Sequence, residues 1–127
     1  MNTHTSTCQN NPIKYKDPLG LLTCTYSITG KELRCGEIVC YAESGNNNPA
    51  DQDKKDKGPI PKGKWKIGIP INKWAPLTPE PGTNTYGRSG FYIHGWGERR
   101  GCIAIKYNVC RDKIMRLLEC NKGGNWR

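Results

Sequence analysis

Long apolar runs are missing from this sequence. None approaches the ~20 residues that a membrane-spanning helix requires. The polar N-terminal stretch also lacks the hydrophobic segment of a signal peptide. Work outside the cytosol would therefore require delivery by another route. Histidine is scarce, with two in 127 residues, and no CxxC pair occurs. Structural zinc sites draw on closely spaced Cys and His, so no metal and no cofactor is expected. Long helices are disfavoured too: Gly (15) and Pro (9) are frequent, which points to short strands and many turns. Hydrophobic residues make up 35% and mean hydropathy is -0.77, so one domain with a modest core is expected. No internal repeat is visible.

Positive charge and cysteine are abundant. The net charge is +9, scattered except for one run, Asp53-Lys54-Lys55-Asp56-Lys57. That run reads as a solvated loop. The sign of the charge suits an anionic partner, whether nucleic acid, cell wall or an acidic inhibitor protein. The seven cysteines are Cys8, Cys24, Cys35, Cys40, Cys102, Cys110 and Cys120. The odd count fits three disulfides plus one free thiol in an oxidising compartment. The reading favoured is disulfides; the alternative is a set of buried reduced thiols.

Residues 1–12 are polar, and 11–22 (NPIKYKDPLGLL) form a turn-rich element. Cys24 to Ile28 reads as a strand, Thr29-Gly30 as a two-residue turn, and Lys31 to Cys35 as the returning strand. That register sets Cys24 opposite Cys35, within disulfide reach. Further strand-like runs are 37–42, 64–71, 91–94 and 102–107. Residues 43–58 and 72–87 read as loops. Ile114, Leu117 and Leu118 recur at helical spacing and predict a helix over 112–120, which the glycines of NKGGNWR end. The fold expected is mainly β with one C-terminal helix.

The chemistry lies in residues 87–105, GRSGFYIHGWGERRGCIAI. His94 ends one apolar strand, and Cys102 begins another after a glycine-rich loop. Neighbouring strands joined this way can bring their facing ends together. A thiol needs a base or a positive charge beside it to become a thiolate near neutral pH, and His94 supplies both. Gly101 leaves the backbone clear, so the Cys102 N–H can contribute to an oxyanion hole. A buried cysteine and a core histidine on adjacent strands would give the same pattern.

YIHG followed by RGCIAI resembles the active-site signature of the L,D-transpeptidase (YkuD-like) families. GKEL (30–33), YAESG (41–45), GPIPKGKWKIG (58–68) and GRSGFYIHG (87–95) fall in the order of the Tlde1-like branch. That branch holds antibacterial type VI secretion effectors that attack peptidoglycan. The resemblance covers roughly residues 23–110. It implies a small YkuD-like sandwich or barrel, with Cys102 attacking a stem-peptide carbonyl, His94 as general base and Gly101 in the oxyanion loop. It also implies that Arg88, Tyr92, Ser44 and Gly45 line the substrate cleft. Two departures stand out: Arg99-Arg100 replace the usual Ser/Thr-His before Gly-Cys, and the His-to-Cys spacing is short.

NPIKYKDPLGL is similar to the end of the Rhs repeat core, whose DPxGL motif precedes a variable toxin; Asp17, Pro18, Gly20 and Leu21 match. An ordinary Asp-Pro turn would also carry these residues. The organisation expected is a tail and core remnant at 1–22 and a catalytic toxin domain at 23–127. The implied partners are peptidoglycan stem peptides, a cognate immunity protein and, before delivery, the Rhs core shell. Nucleic acid is not expected as a partner. The implied site of action is the periplasm of a target bacterium. The alternative is a basic nuclease toxin at an Rhs tip, which needs an acid-base or metal set of its own. The other histidine, His4, lies in the polar tail, and no compact Asp/Glu/His cluster stands out. A disulfide-stapled wall-binding module without catalysis is a third reading.

Overall fold

A computed structural model describes residues 22–98 and 100–126. The tail with the DPLGL motif, Cys8 and His4, and also Arg99, lie outside the described residues. Leu22, placed with the tail on sequence grounds, is buried in the core.

Alternation of apolar and polar residues builds the strands. They are β1 (Thr23–Ser27), β2 (Glu32–Cys35), β3 (Ile38–Ser44), β4 (Trp65–Ile67), β5 (Ala75–Pro79), β6 (Phe91–Gly95), β7 (Ile103–Ile105) and β8 (Gly124–Trp126). They curl into a barrel in the order β1-β2-β3-β7-β6-β5-β4-β8. Pairing is antiparallel except at β6–β7 and β1–β8. Alternate residues point inward: Leu33, Cys40, Ala42, Trp65, Ile67, Ala75, Leu77, Phe91, Ile93, Ile103 and Ile105 all join the buried core. Trp65 meets Phe91 edge-on at 5.1 Å and donates its Nε1–H to the Pro61 carbonyl, so the largest core side chain has its polar atom satisfied.

The helix, α1 (Asn108–Cys120), buries Ile114, Met115, Leu117 and Leu118 in the same core. It contacts β3, β6 and β7. Two disulfides tie the fold: Cys24–Cys35 across β1 and β2, and Cys40–Cys110 from β3 to the first turn of α1. Cys120 is also disulfide-bonded, and Cys102 is free. No helix among the described residues is long and apolar enough to cross a membrane.

The mainly-β reading with one C-terminal helix stands, and Cys24 does face Cys35. The turn between them takes four residues, 28–31, with Lys31 left-handed (φ 55°), rather than two. The register survives because the loop is lengthened symmetrically. Two strands lie where none is expected. β5 falls inside the expected 72–87 loop and carries Pro76 and Pro79, which supply no N–H to the ladder. Burial of Ala75 and Leu77 outweighs that loss. β8 uses the terminal glycines not to stop the chain but to let it close between β1 and β4. A Cβ on Gly123 would lie 2.4 Å from the Ile67 carbonyl oxygen. The helix starts four residues earlier than its apolar spacing suggests. Its N-cap, Tyr107, makes no side-chain capping bond, so no sequence signal marks the start.

Candidate active site

Cys102 and His94 share the outer face of the barrel. Ile93 pairs with Ile103 and His94 with Ala104. Cys102 therefore stands opposite Tyr92, one residue pair before the Ile93–Ile103 rung, and His94 lies two residues further along on the same face. Strand spacing and rise put their Cα atoms about 8 Å apart. The pairing is parallel, so the end of β6 and the start of β7 lie at opposite ends of the pair, not facing. The two side chains are neighbours because both strands are short. The connection is short, and its described residues, 96–98 and 100–102, form no helix, where a parallel connection ordinarily takes a dozen residues or more. Trp96 leads this strap across β7, its ring 6.4 Å from that of Tyr41 on β3.

His94 is 4% exposed. Its Nδ1 lies 2.7 Å from the Gly95 carbonyl oxygen, which fixes the tautomer: Nδ1–H donates, and Nε2 carries the lone pair. Nε2 is buried with no hydrogen-bond partner among the described residues. Burial lowers the imidazole pKa, and the bond to Gly95 partly offsets this. Burial raises the pKa of the half-buried Cys102 thiol, against the Tyr92 backbone N–H, which favours the thiolate. The thiol also points at the Gly90 carbonyl, 3.8 Å away. At rest the thiol and the imidazole on this face are thus both neutral. Proton transfer between two such groups would be of the general-base kind rather than from a standing thiolate–imidazolium ion pair.

The remaining expected site residues converge on the strand-start behind Cys102. Ser44 is fully buried: its hydroxyl donates to the Gly101 carbonyl (3.0 Å) and accepts from the Ile60 N–H (2.8 Å). Gly45 extends the β3–β7 register to Cys102 and is left-handed (φ 52°), and a Cβ there would meet the Gly58 carbonyl oxygen at 2.2 Å. Gly101 (φ 115°) is also in a region that favours glycine, with the Arg88 guanidinium where a Cβ would go. Arg88 is 7% exposed and donates to the carbonyls of Gln52, Pro59 and Gly58 while lying over the Phe91 ring. Its donors hold the 52–59 loop. Tyr92 is half-buried on the face of Cys102 and His94.

Sequence reasoning missed Trp74. It sits one position before β5, opposite His94 in the extended β5–β6 register, and stacks on the imidazole at 4.2 Å and 20°. The only sequence signal was a tryptophan in a loop. A cleft of about 370 Å³ lies elsewhere, lined by Tyr26, Ile28, Ile60, Pro61 and Lys62 among others. It reaches the site through Ile60, whose N–H bonds to Ser44, and through Tyr26, which shares Asn47 Oδ1 with the Ser44 N–H. No group of three or more His, Cys, Asp or Glu side chains that could hold a metal occurs among the described residues. No family model matches the chain, and no curated protein matches it.

Proposed function

We propose that the protein is a cysteine acyl-transfer enzyme of the L,D-transpeptidase (YkuD-like) kind, acting on the stem peptides of peptidoglycan as an antibacterial toxin. The observation that carries the chemistry is the free thiol of Cys102 on the same strand face as an imidazole whose Nδ1 is committed to a carbonyl and whose Nε2 is unpartnered among the described residues. The stem-peptide substrate rests on the resemblance of YIHG and RGCIAI, as does membership of the Tlde1-like branch. The Rhs-type origin and type VI delivery rest on the DPLGL motif, and the disulfides suit the oxidising periplasm of a target cell. A cognate immunity protein that plugs the cleft around Cys102 completes the proposal, with an acidic face suited to a chain at +9.

The reaction begins with His94 Nε2 taking the Cys102 proton as sulfur attacks the carbonyl before the terminal D-alanine of a tetrapeptide stem. The oxyanion forms against the Gly101–Cys102 backbone. The C–N bond then breaks, and His94 returns its proton to the departing amine. The thioester left on Cys102 passes its acyl group to water, or to an amine in exchange or crosslinking. The short strap between the two residues leaves little chain from which to build a deep acceptor site, so trimming should exceed crosslinking. Muropeptides incubated with the purified protein should convert from tetrapeptide to tripeptide, and Cys102→Ala should abolish the conversion. Equal trimming by both proteins, or neither trimming nor exchange, would refute the mechanism.

A further inference from the structure

His94 is held from two directions, and only one of them lies on its own strand. The register that pairs Ala75 with Ile93 sets Trp74 opposite His94, and the two rings are nearly parallel at 4.2 Å. The Trp74 ring also meets Tyr92 edge-on at 5.4 Å and remains 47% exposed. Its backbone is pinned by a tight turn in which Ile71 and Trp74 exchange both N–H···O bonds, at 2.9 and 3.0 Å. Asn72 and Lys73 between them are both left-handed (φ 52° and 66°), the conformation of a type I′ turn. Non-glycine residues enter that region rarely, so the rest of the structure sustains the turn. Lys73 reaches the Asp112 carboxylate at 3.5 Å. Arg111, bonded to the same carboxylate, packs against Gly95, the residue whose carbonyl fixes His94 Nδ1. The start of α1 thus bears on both supports of the imidazole.

We propose that Trp74 is a positioning residue for His94: its stacked ring keeps the imidazole in one orientation and dry on one face. The kinetic part of this proposal rests on the acyl-transfer reading; the structural part does not. The charged and titratable groups around His94 are Tyr92 on β6, Cys102 just before β7, Glu43 on β3 across Ala104, Lys73 on the turn, and Arg111 and Asp112 on α1. Glu43 is engaged by Tyr41 and Lys31, and Asp112 by Lys73 and Arg111.

The test uses the full chain and two readouts. The first follows the imidazole C–H resonances through a pH titration, with His4→Gln assigning the two histidines. His94 should titrate below its ordinary 6.5, as its burial requires, and Trp74→Ala should move the midpoint up towards that value. Trp74→Phe, which keeps a ring face, should stay near the parent. The second measures turnover of a tetrapeptide stem well below the melting temperature. Trp74→Ala should lower kcat about 10-fold or more with KM changed less than about threefold, and Trp74→Phe should restore most of the rate. An unmoved His94 midpoint in Trp74→Ala overturns the proposal. So does a rise in KM with kcat intact, which would make Trp74 a substrate wall. If no stem peptide is turned over in a Cys102-dependent way but the midpoint still moves, the acyl-transfer reading fails and the positioning of His94 by Trp74 stands.

Discussion

At the scale of single residues, the site is governed by two groups that the fold keeps neutral. His94 is favoured deprotonated, so the unfolded chain binds more protons than the native one as pH falls below 6.5, and stability falls with it. Cys102 is favoured protonated, so the unfolded chain loses its proton first above 9.0, and stability falls on that side too. Between these values the pair contributes a plateau. Chemical denaturation between pH 4 and 10 should show it, and His94→Ala should remove His94's share of the acid-side decline. An unchanged acid limb in that variant would show that His94 is not held neutral. The same shifts predict that the acid limb of kcat/KM lies below the ordinary histidine value, and that Cys102 alkylation by iodoacetamide at pH 7 is slower than for an unfolded thiol. His94→Ala should lower acylation by a factor of about 100 or more, the scale of a lost general base. Cys102 and His94 stand out in the sequence because glycines frame both. Trp74 does not, because its partnership with His94 exists only through the register of a strand that the prolines disguise.

At the scale of elements, the latch behind Cys102 decides whether the site forms. Arg88 ties three carbonyls of the 52–59 loop, and Ser44 ties that loop at Ile60 to the Gly101 carbonyl. YAESG and GRSGFYIHG flagged both residues, but as cleft lining. Their donors are spent within the fold, and only the paired strands reveal where. Removing either leaves buried carbonyls or an N–H without partners, each at roughly 1–3 kcal/mol. Arg88→Ala, which strands three carbonyls, should therefore destabilise by about 3 kcal/mol or more, and Ser44→Ala, which strands two groups, by about 2 kcal/mol or more, read as melting temperature. Both should lower kcat, through a displaced Gly101–Cys102 turn, more than they raise KM. A selective rise in KM with unchanged stability would return these residues to substrate contact. Gly45→Ala should fail more severely, since its Cβ would meet backbone rather than a side chain that can move. The β1–β2 hairpin was legible because Thr29-Gly30 and two opposed cysteines agree. β5 and β8 were not, because propensity argues against strand in APLTP and GNW and only the closing of the barrel overrides it.

At the scale of the whole molecule, oxidation state and site geometry are coupled. Cys40 lies in the core on β3, and its partner Cys110 opens α1, one residue before Arg111 and two before Asp112. The disulfide therefore fixes the end of the helix that bears on Gly95 and, through Lys73, on the turn carrying Trp74. It also closes a loop of 70 residues' separation, which in the chain-entropy model destabilises the unfolded state by about 4 kcal/mol, against about 3 kcal/mol for Cys24–Cys35. The paired variant Cys40→Ala/Cys110→Ala should lose roughly that larger amount of stability. Its His94 midpoint should shift upwards and its turnover should fall, because the helix start no longer holds its contacts. Cys24→Ala/Cys35→Ala, across a hairpin remote from His94, should lose stability without moving the His94 midpoint. Comparing the two pairs separates loss of stability from loss of positioning. An equal response of His94 to both, or to neither, would show that the helix start does not transmit to the site. Thiol titration of the oxidised, denatured chain fixes the reference state, and one reactive group, Cys102, is expected. All seven thiols titrating after oxidative refolding would remove the staple from the account and leave the helix start held by packing and the Lys73–Asp112 pair alone.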